Sequence, residues 1–250
     1  MAESSDIEWT NATWNPVAGC SLASPGCTNC YAMRMAARLE AMGIPLYRGL
    51  TKPGKGGAVW TGEIRQAEPD QRFQPLRWRK PRNIFVDSMS DLFHADVPDA
   101  WIDEVFSIME QCPQHTFQVL TKRPGRVRAY LSDKRVLPNV MIGASVEDHA
   151  RLDRLADLAA TPAAFRFLSL EPLLGDLGRI PLEGIGWAIA GAESGPRARP
   201  MDLDWVRSIR DQCAAAGVLF MFKQRVVNGR KISLPMLDGQ QHAAVPSLSR

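Results

Sequence analysis

From residue 83 to residue 224, short apolar runs alternate with longer segments of helical periodicity. The apolar runs are typical of strands covered on both faces, and they lie at 83–88, 116–122, 139–146, 165–174, 186–194 and 218–224. The helical segments lie between them, at 97–112, 124–132, 147–161 and 201–217. This alternation predicts parallel strands joined by right-handed helical crossovers, either in a whole or partial α/β barrel or in an open doubly wound sheet.

Polar side chains recur where these predicted strands end. They are Asp87, Ser88, Ser90 and Asp91, then Thr121 to Arg123, Ser145 and Glu147, Ser169 and Glu171, and Glu193 and Ser194. In α/β barrels the carboxyl ends of the strands form the active-site face, and in open sheets the ligand crevice lies outside the same ends. The recurrence favours a partial (β/α)6-type TIM-like barrel whose strand ends surround one site.

The bulk properties of the chain suit one soluble domain spanning residues 1–250. We expect a cysteine-bearing loop at 14–32, a mobile insertion at about 44–60 and a C-terminal extension at about 225–250. The first 20 residues show no secretory signal, and no apolar run has the length of a membrane span, so the expected location is cytoplasmic. The formal net charge of +3 permits contact with nucleic acid without requiring it.

Three of the five cysteines, Cys20, Cys27 and Cys30, lie within eleven residues. In a reducing compartment such a cluster indicates metal binding or chemistry more than a disulfide. Structural zinc normally takes four protein ligands, and three thiolates can hold three irons of a [4Fe–4S] cluster while leaving the fourth iron open. The remaining cysteines, Cys112 and Cys213, fall on helical segments and are expected to be small core residues.

Six segments of the chain together resemble the phage Gp37/Gp68 family, also described as the DUF5131 family. They are "IEWTNATWNPVAGCSLASPGCTNCYAMRMAARL", "NIFVDSMSDLFH", "VLTKRP", "SLEPLLG", "GAESGPRARPMDLDWVRSIRDQC" and "FKQ". The three-cysteine motif also resembles that of radical S-adenosylmethionine enzymes, and the strand layout is similar to that of spore photoproduct lyase. The resemblance implies a [4Fe–4S] cluster on the three cysteines, with S-adenosylmethionine on the open iron, and a 5′-deoxyadenosyl radical formed by reductive cleavage. A flavodoxin- or ferredoxin-like electron donor is then the implied partner.

The chain departs from the usual radical-enzyme pattern at two places. The cysteines are separated by six and two residues, where that motif has three and two, and no Gly-Gly-Glu segment follows the second strand. Residues at comparable strand ends are expected to hold the cofactor instead: Asp87, Ser88, Ser90, Asp91, Ser145, Glu147 and Glu171. Because carboxylates and amines at strand ends can act as acids and bases, Glu171, Glu193 and Lys223 are the candidate catalytic residues.

Basic residues follow several of the same strands, and "RWRKPR" (77–82) combines them with a tryptophan. Cations with an exposed indole would suit a DNA or RNA substrate, whereas a solvated approach to a strand with a partly buried tryptophan is the alternative. The candidate substrate-binding residues are Arg77, Trp78, Arg79, Lys122, Arg123, Arg197 and Arg199. Two other functions remain open: a zinc-stabilised nucleic-acid-binding module, and an iron–sulfur repair or electron-transfer protein that does not cleave S-adenosylmethionine.

Overall fold

The computed structural model describes residue 5, residues 7–195 and residues 197–248. Its residues cluster into two units, Met1–Thr121 and Lys122–Arg250. The first unit contains, in chain order, β1 (Ala12–Trp14), β2 (Val17–Ala18), α1 (Tyr31–Ala41), β3 (Thr51–Gly54), β4 (Gly57–Trp60), β5 (Arg65–Gln66), α2 (Pro69–Arg72), β6 (Asn83–Val86), α3 (Asp99–Gln111) and β7 (Thr116–Thr121).

Strand β6 lies between β1 and β7 in the first unit, and both pairings are parallel. Helix α3 connects β6 to β7 and buries Ile102, Val105, Ile108 and Met109, the spacing of a helix with one core-facing side. The sequence predicts this helix and both strands, and the structure confirms them. Strand β1 is not predicted.

The segment predicted to be a mobile insertion, at about 44–60, contains regular structure. A short 3-10 helix spans Pro45–Tyr47, and β3 and β4 form an antiparallel hairpin. Its apolar side chains Tyr47, Leu50 and Trp60 are buried in a cluster with Met33 and other residues of α1. This packing removes the large apolar side chains of the segment from water. The segment is therefore part of the core of the first unit.

The second unit continues the alternation of helices and strands. It contains α4 (Pro124–Leu131), β8 (Val140–Ser145), α5 (Arg154–Ala160), β9 (Phe165–Leu170), β10 (Trp187–Gly191), α6 (Leu203–Ala216), β11 (Leu219–Val227), β12 (Arg230–Ser233), β13 (Met236–Leu237) and β14 (Gln240–Gln241). Strands β8, β9, β10 and β11 pair in parallel in that order, and β12 pairs antiparallel with β11. Helix α6 ends as predicted at Gly217, whose φ of 68° is the left-handed conformation that glycine adopts without strain.

Both units thus confirm a mixed α/β fold built mainly from parallel strands. The predicted C-terminal extension holds strands β12 to β14, and Asp238 of this segment forms ion pairs with Arg207 and Arg210 of α6. Cys112 and Cys213 are buried, as expected for small core residues. Among the described residues, no helix is both long enough and apolar enough to cross a membrane.

Candidate cysteine site and strand-end carboxylates

The three clustered cysteines lie in one irregular loop between β2 and α1. A 3-10 turn spans Pro25–Cys27, and Cys30 occupies the N-cap position of α1. Cys27 is buried, while Cys20 and Cys30 are half-buried. The loop leaves β2 at Gly19, whose φ is 95° and whose α-carbon faces the carbonyl oxygen of Glu63 so closely that a side chain would collide with it.

The sulfur atoms have distinct surroundings. The backbone N–H of Ala23 donates to Sγ of Cys27 at 3.4 Å, and the thiol of Cys20 donates to the carbonyl of Ser21 at 3.5 Å. Cys20 and Cys30 pack against the same apolar cluster, whose buried members are Ala18, Ala32, Met33, Ala36, Tyr47, Leu50, Trp60 and Met89. The loop is therefore supported by the core of the first unit.

The donor chemistry of this loop fits a soft metal or an iron–sulfur cluster. Thiolates select zinc, copper(I) and iron–sulfur clusters, and hydrogen bonds to sulfur, like the one from Ala23, tune such clusters. Within the described ranges, no three His, Cys, Asp or Glu side chains converge into a metal-binding group. Binding of a cluster would therefore require the thiol side chains of Cys20, Cys27 and Cys30 to turn toward a common centre.

Asp87 begins the turn after β6 and combines three unusual properties. Its φ is 58°, a left-handed conformation that is uncommon outside glycine. Its Oδ1 accepts a hydrogen bond from the N–H of Val17 at 3.1 Å, whereas the buried Oδ2 has no hydrogen-bond partner among the described residues. Burial, reinforced by the nearby charge of Asp91, raises the pKa of Asp87 well above its usual range. The raised pKa favours the neutral form of this carboxyl group, and one of its oxygens is unsatisfied among the described residues.

The rest of this turn, residues 87–91, contacts the cysteine loop directly. Ser88 Oγ donates to Oδ1 of Asn15 at 3.0 Å, and the carbonyl of Ser88 accepts from the hydroxyl of Tyr31 at 2.7 Å. Gly19 pairs with Ser90 in an isolated bridge, and the buried Oγ of Ser90 has no hydrogen-bond partner in the part of the chain that the structure describes. The structure therefore brings the predicted turn and the cysteine loop together.

Asp91 and Tyr47 complete the electrostatic surroundings of Asp87. Oδ1 of Asp91 accepts from the hydroxyl of Thr121 at 2.7 Å and from the N–H of Phe93 at 3.0 Å, so this carboxylate is held by the backbone and β7. Burial, together with the nearby Asp87, raises the pKa of Tyr47 to about 12. The phenol therefore stays protonated at physiological pH.

His94 is a residue of this region that the sequence does not single out. Its Nε2 lies 2.7 Å from Oγ of Ser21, and its Nδ1 accepts from the N–H of Asp96 at 3.2 Å. Because Nδ1 is the acceptor, Nε2 carries the ring hydrogen and donates to Ser21. His94 ends the segment "NIFVDSMSDLFH" on which the family resemblance rests, and this was the signal that could have revealed it.

In the second unit, Glu147 is the most enclosed of the candidate cofactor ligands. It is fully buried, with Arg154 Nη1 2.9 Å from Oε2 and Lys122 Nζ 3.3 Å from Oε1. Arg154 also donates to the carbonyl of Ser145 at 2.6 Å. Two cations thus hold one carboxylate, and Arg154 is a participant that the sequence does not predict.

Glu171 and Lys223 meet across strand β10. Lys223 Nζ lies 3.1 Å from Oε1 of Glu171, and Ser169 Oγ donates to Oε2 at 3.3 Å. Gly191 of β10 leaves the space for this contact, since a Cβ there would lie 2.5 Å from Oε1 of Glu171. The sequence predicts both Glu171 and Lys223 as candidates, and the structure joins them in one pair.

Glu147 and Glu171 follow the carboxyl ends of β8 and β9, and Lys223 lies in the middle of β11. Ser145 is in register with Ser169, and Gly191 with Gln224. The N–H of Leu174 donates to the carbonyl of Glu147 at 2.8 Å, which links the segment after β9 to the end of β8. The second unit therefore gathers Glu147 and Glu171, which follow β8 and β9, with Lys223, which lies within β11.

Glu193 forms its own ion pair, and the basic candidates of the second unit differ in their exposure and contacts. Glu193 is buried and forms an ion pair with Arg199, whose Nε donates to its Oε2 at 3.0 Å. Arg197 is exposed. Lys122 contacts Glu147, as described above, and Arg123 lies half-buried at the start of α4.

In the first unit, "RWRKPR" is an exposed basic segment around a buried tryptophan. Arg77 and Arg79 are exposed, and Arg77 forms an ion pair with Asp70. Trp78 is only 5% exposed, and Arg82 lies over its ring at 4.8 Å from the centroid. The indole is therefore packed as a core residue, which is the alternative considered for this segment, while the two exposed arginines remain accessible.

Fold and site together define a mixed α/β protein with a loop of three cysteines and buried carboxyl groups at the ends of its parallel strands. A family model described as "Protein of unknown function (DUF5131)" matches residues 4–246, and the chain belongs to this family. No curated protein and no solved structure matches the chain significantly.

Proposed function

We propose that this protein is an iron–sulfur enzyme of the radical S-adenosylmethionine type, with Cys20, Cys27 and Cys30 as the ligands of a [4Fe–4S] cluster. The observation that supports it most is the pair of buried, unpartnered oxygens, Asp87 Oδ2 and Ser90 Oγ, in a turn bonded to the cysteine loop. Buried polar atoms in folded proteins nearly always have partners, so two such atoms without one, beside a loop of three cysteines, favour a polar ligand there.

When bound, a [4Fe–4S] cluster with one open iron would supply one-electron reduction of S-adenosylmethionine and, from it, hydrogen abstraction from a substrate. The protein side chains have separate tasks in this proposal. The neutral carboxyl of Asp87 donates a hydrogen bond to an acceptor atom on the cofactor, and Ser90 offers its hydroxyl beside it. The packed cluster under the cysteine loop excludes water from one side of the site.

The proposal gives the strand-end groups of the second unit binding and proton-transfer roles. Nζ of Lys223 lies beside Oε1 of Glu171, and this contact makes the pair able to pass a proton to or from a substrate atom. Glu147 has both oxygens engaged by cations, so its task is to hold Lys122 and Arg154 in place. Glu193 orients the guanidinium of Arg199 in the same way.

The proposal also includes four more specific expectations that the family resemblance implies. They are the relationship to phage Gp37/Gp68 proteins and to spore photoproduct lyase, closure of the strands into a partial (β/α)6 barrel, a cytoplasmic location and a nucleic-acid base or lesion as substrate. The accessible cations Arg77, Arg79 and Arg197 support an anionic substrate. The nucleic-acid assignment rests on this charge and on analogy with the family.

Metal analysis of anaerobically reconstituted protein tests the proposal. We expect a brown protein with about four irons per chain, and 5′-deoxyadenosine after addition of reductant and S-adenosylmethionine. Cys27→Ala should lose the iron and the colour, whereas the control Cys112→Ala, at a cysteine buried in the core, should keep both.

Three outcomes would overturn the proposal in different ways. A Cys27→Ala variant that keeps its full iron content and colour would show that the cluster does not bind at the proposed cysteines. A colourless protein with stoichiometric zinc, which binds DNA with steep salt dependence, would identify a zinc-stabilised nucleic-acid-binding module. A brown protein that forms no 5′-deoxyadenosine would identify an electron-transfer or repair protein that leaves S-adenosylmethionine intact.

A further inference from the structure

The imidazole of His94 is a buried nitrogen group held against the cysteine loop. Only 3% of the residue is exposed, and its Nε2 lies 2.7 Å from Oγ of Ser21, which directly follows Cys20. The backbone of His94 is bonded on both sides: its N–H donates to the carbonyl of Asp91 at 2.8 Å, and its carbonyl accepts from the N–H of Val97 at 3.0 Å. The ring therefore has a fixed position beside the first cysteine of the loop.

Three cysteines leave one coordination position of a metal centre to be filled. Iron–sulfur clusters usually have four cysteine ligands, and structural zinc takes four protein ligands, for which three Cys and one His are a regular set. Histidine is the commonest metal ligand among the side chains. His115, the other histidine of the first unit, packs against the rings of Trp78 and Phe117. His94 is therefore the histidine of this unit whose contact with the loop suits the fourth position.

Asp96 supplies the supporting group that a metal-binding histidine needs. Such histidines almost always donate their other ring N–H to a carboxylate, a carbonyl or water. Oδ2 of Asp96 lies 3.6 Å from Nδ1 of His94, and its side chain is exposed and can move closer. In this structure Nδ1 accepts from the N–H of Asp96, so Nε2 carries the ring hydrogen. Metal binding at Nε2 reverses these roles: the hydrogen of Nε2 leaves to water, Nδ1 takes up one proton that Asp96 accepts, and the ring stays neutral.

We propose that His94 is the fourth protein ligand, through Nε2, of the metal centre on the three loop cysteines. Its bond to Ser21 is exchanged for a bond to the metal when the thiolates turn toward a common centre. On an iron–sulfur cluster this imidazole occupies the iron that S-adenosylmethionine also binds, so the cluster stays capped until the cofactor displaces His94. The displacement rests on the proposed function, whereas ligation by His94 applies to any soft metal bound by these cysteines.

Pulsed electron paramagnetic resonance of the reduced cluster tests this ligand directly. Protein labelled with 15N-histidine should show 15N coupling to the cluster, and saturating S-adenosylmethionine should abolish it. His94→Gln keeps an amide donor for Ser21 but has no imidazole nitrogen, so it should lose the coupling and keep iron on the three cysteines. The matched control His149→Gln replaces an exposed histidine of the second unit and should show the same coupling as the parent.

Cobalt(II) binding to cluster-free, reduced protein separates this inference from the proposed function. The visible absorption of thiolate-bound cobalt(II) reports the affinity of the site without iron or cofactor. We expect His94→Gln to weaken this affinity at least about tenfold, because it removes one of four ligands. Asp96→Ala should weaken it about tenfold through loss of the acceptor for Nδ1–H, and His149→Gln should leave it unchanged.

The possible outcomes distinguish the two ideas. A parent that takes up no iron but shows the expected cobalt(II) difference would support His94 as a ligand and overturn the proposed function. An iron-loaded parent without 15N coupling would overturn the inference and leave the proposed function intact. Equal cobalt(II) affinity of the parent and His94→Gln, with the same melting curve, would also overturn it. Coupling that persists with saturating S-adenosylmethionine would overturn the displacement.

Discussion

Nζ of Lys223 lies 3.1 Å from Oε1 of Glu171; Glu171 directly follows β9 and Lys223 lies in β11, the two strands that flank β10. The ion pair passes over Gly191, where the absence of a side chain leaves room for the carboxylate. Glu171 and Lys223 are both largely buried, so the pair is shielded from bulk water. An acid and a base held this way at strand ends are the strongest candidates for proton transfer in the second unit.

Gly191→Ala should displace Glu171 and break this pair. The added Cβ would lie 2.5 Å from Oε1 of Glu171, and we expect a loss of roughly 1–3 kcal/mol in the free energy of unfolding, as for other overpacked cores. Urea denaturation measures the loss. Gly175→Ala is the matched control, because a Cβ at Gly175 meets nothing within 4 Å. Equal stability of the two variants would show that the space at Gly191 is not needed.

Replacement of His94 should loosen the cysteine loop. The hydrogen bond from Nε2 of His94 to Ser21 fixes the residue next to Cys20, and one such bond contributes about 1 kcal/mol. We expect His94→Ala to raise the alkylation rate of Cys20 roughly fivefold in metal-free, reduced protein. Mass spectrometry of iodoacetamide-treated protein measures the rate at each cysteine.

His94→Gln is the conservative variant for the same experiment. Its side-chain amide N–H can replace Nε2 as the hydrogen-bond donor and should restore a slow alkylation rate at Cys20. Cys112 serves as an internal control because it is buried in the core and should react slowly in all three proteins. An unchanged rate at Cys20 in His94→Ala, with a folded core, would contradict a holding role for His94.

The strands of residues 83–224 are predictable because each is a continuous apolar run that ends in polar residues. The sequence does not predict the strands β1 and β3, for two different reasons. Strand β1 has only three residues, too few to show a pattern, and β3 contains Pro53 and Gly54, which usually mark turns. The hairpin of β3 and β4 is set by burial of Leu50 and Trp60, which depends on tertiary contacts with α1.

Some residues of the candidate sites can likewise be predicted from the sequence, and others cannot. Polar residues after a strand, such as Asp87 and Glu171, are visible in the sequence because the strand end places them. The contacts of His94 and Arg154 are not visible, since each depends on folding: Ser21 and His94 are 73 residues apart. Trp78 is a case in which the sequence pattern suggests a site that the fold does not form. A tryptophan among cations has the composition of a nucleic-acid-binding surface, but the ring of Trp78 is buried.

Asp238 should hold the C-terminal hairpin of β13 and β14 on α6. Its carboxylate contacts Arg207 and Arg210, and hydrogen bonds from these two residues lower the pKa of Asp238 to about 2. Asp238→Asn should increase hydrogen exchange of residues 236–241 at pH 7. Asparagine tolerates the φ of 52° at this position, so the substitution tests the charge and not the backbone.

The lowered pKa of Asp238 also fixes the direction of a pH effect. A carboxyl group with a folded-state pKa below the unfolded value stabilises the fold above the unfolded value of about 4, and loses this contribution as the pH falls toward 2. In the parent, protection of residues 236–241 should be constant between about pH 5 and 7 and fall below about pH 4. Protection in Asp238→Asn should lack that step, and Asp211→Asn, which removes only a neighbour of Arg210, should keep it.

Asp87→Asn should stabilise the protein at neutral pH. Burial and Asp91 raise the pKa of Asp87 above its unfolded value, so folding favours the protonated form. Stability contributed by this group is therefore greatest at low pH and declines as the pH rises from about 4 to the raised folded-state pKa, by about 1.4 kcal/mol for each unit of the shift. Asparagine is neutral, keeps an Oδ1 for the N–H of Val17 and accepts the positive φ.

Urea denaturation at about pH 5 and about pH 8 measures this effect. The free energy of unfolding should fall less between the two pH values in Asp87→Asn than in the parent, and at pH 8 the variant should be the more stable protein. Asp87→Ala removes the bond to Val17 as well and should be less stable than Asp87→Asn at both pH values. If the parent and Asp87→Asn show the same pH dependence, Asp87 is charged in the folded protein, and the hydrogen-bond donor role assigned to it beside the cysteine loop is wrong.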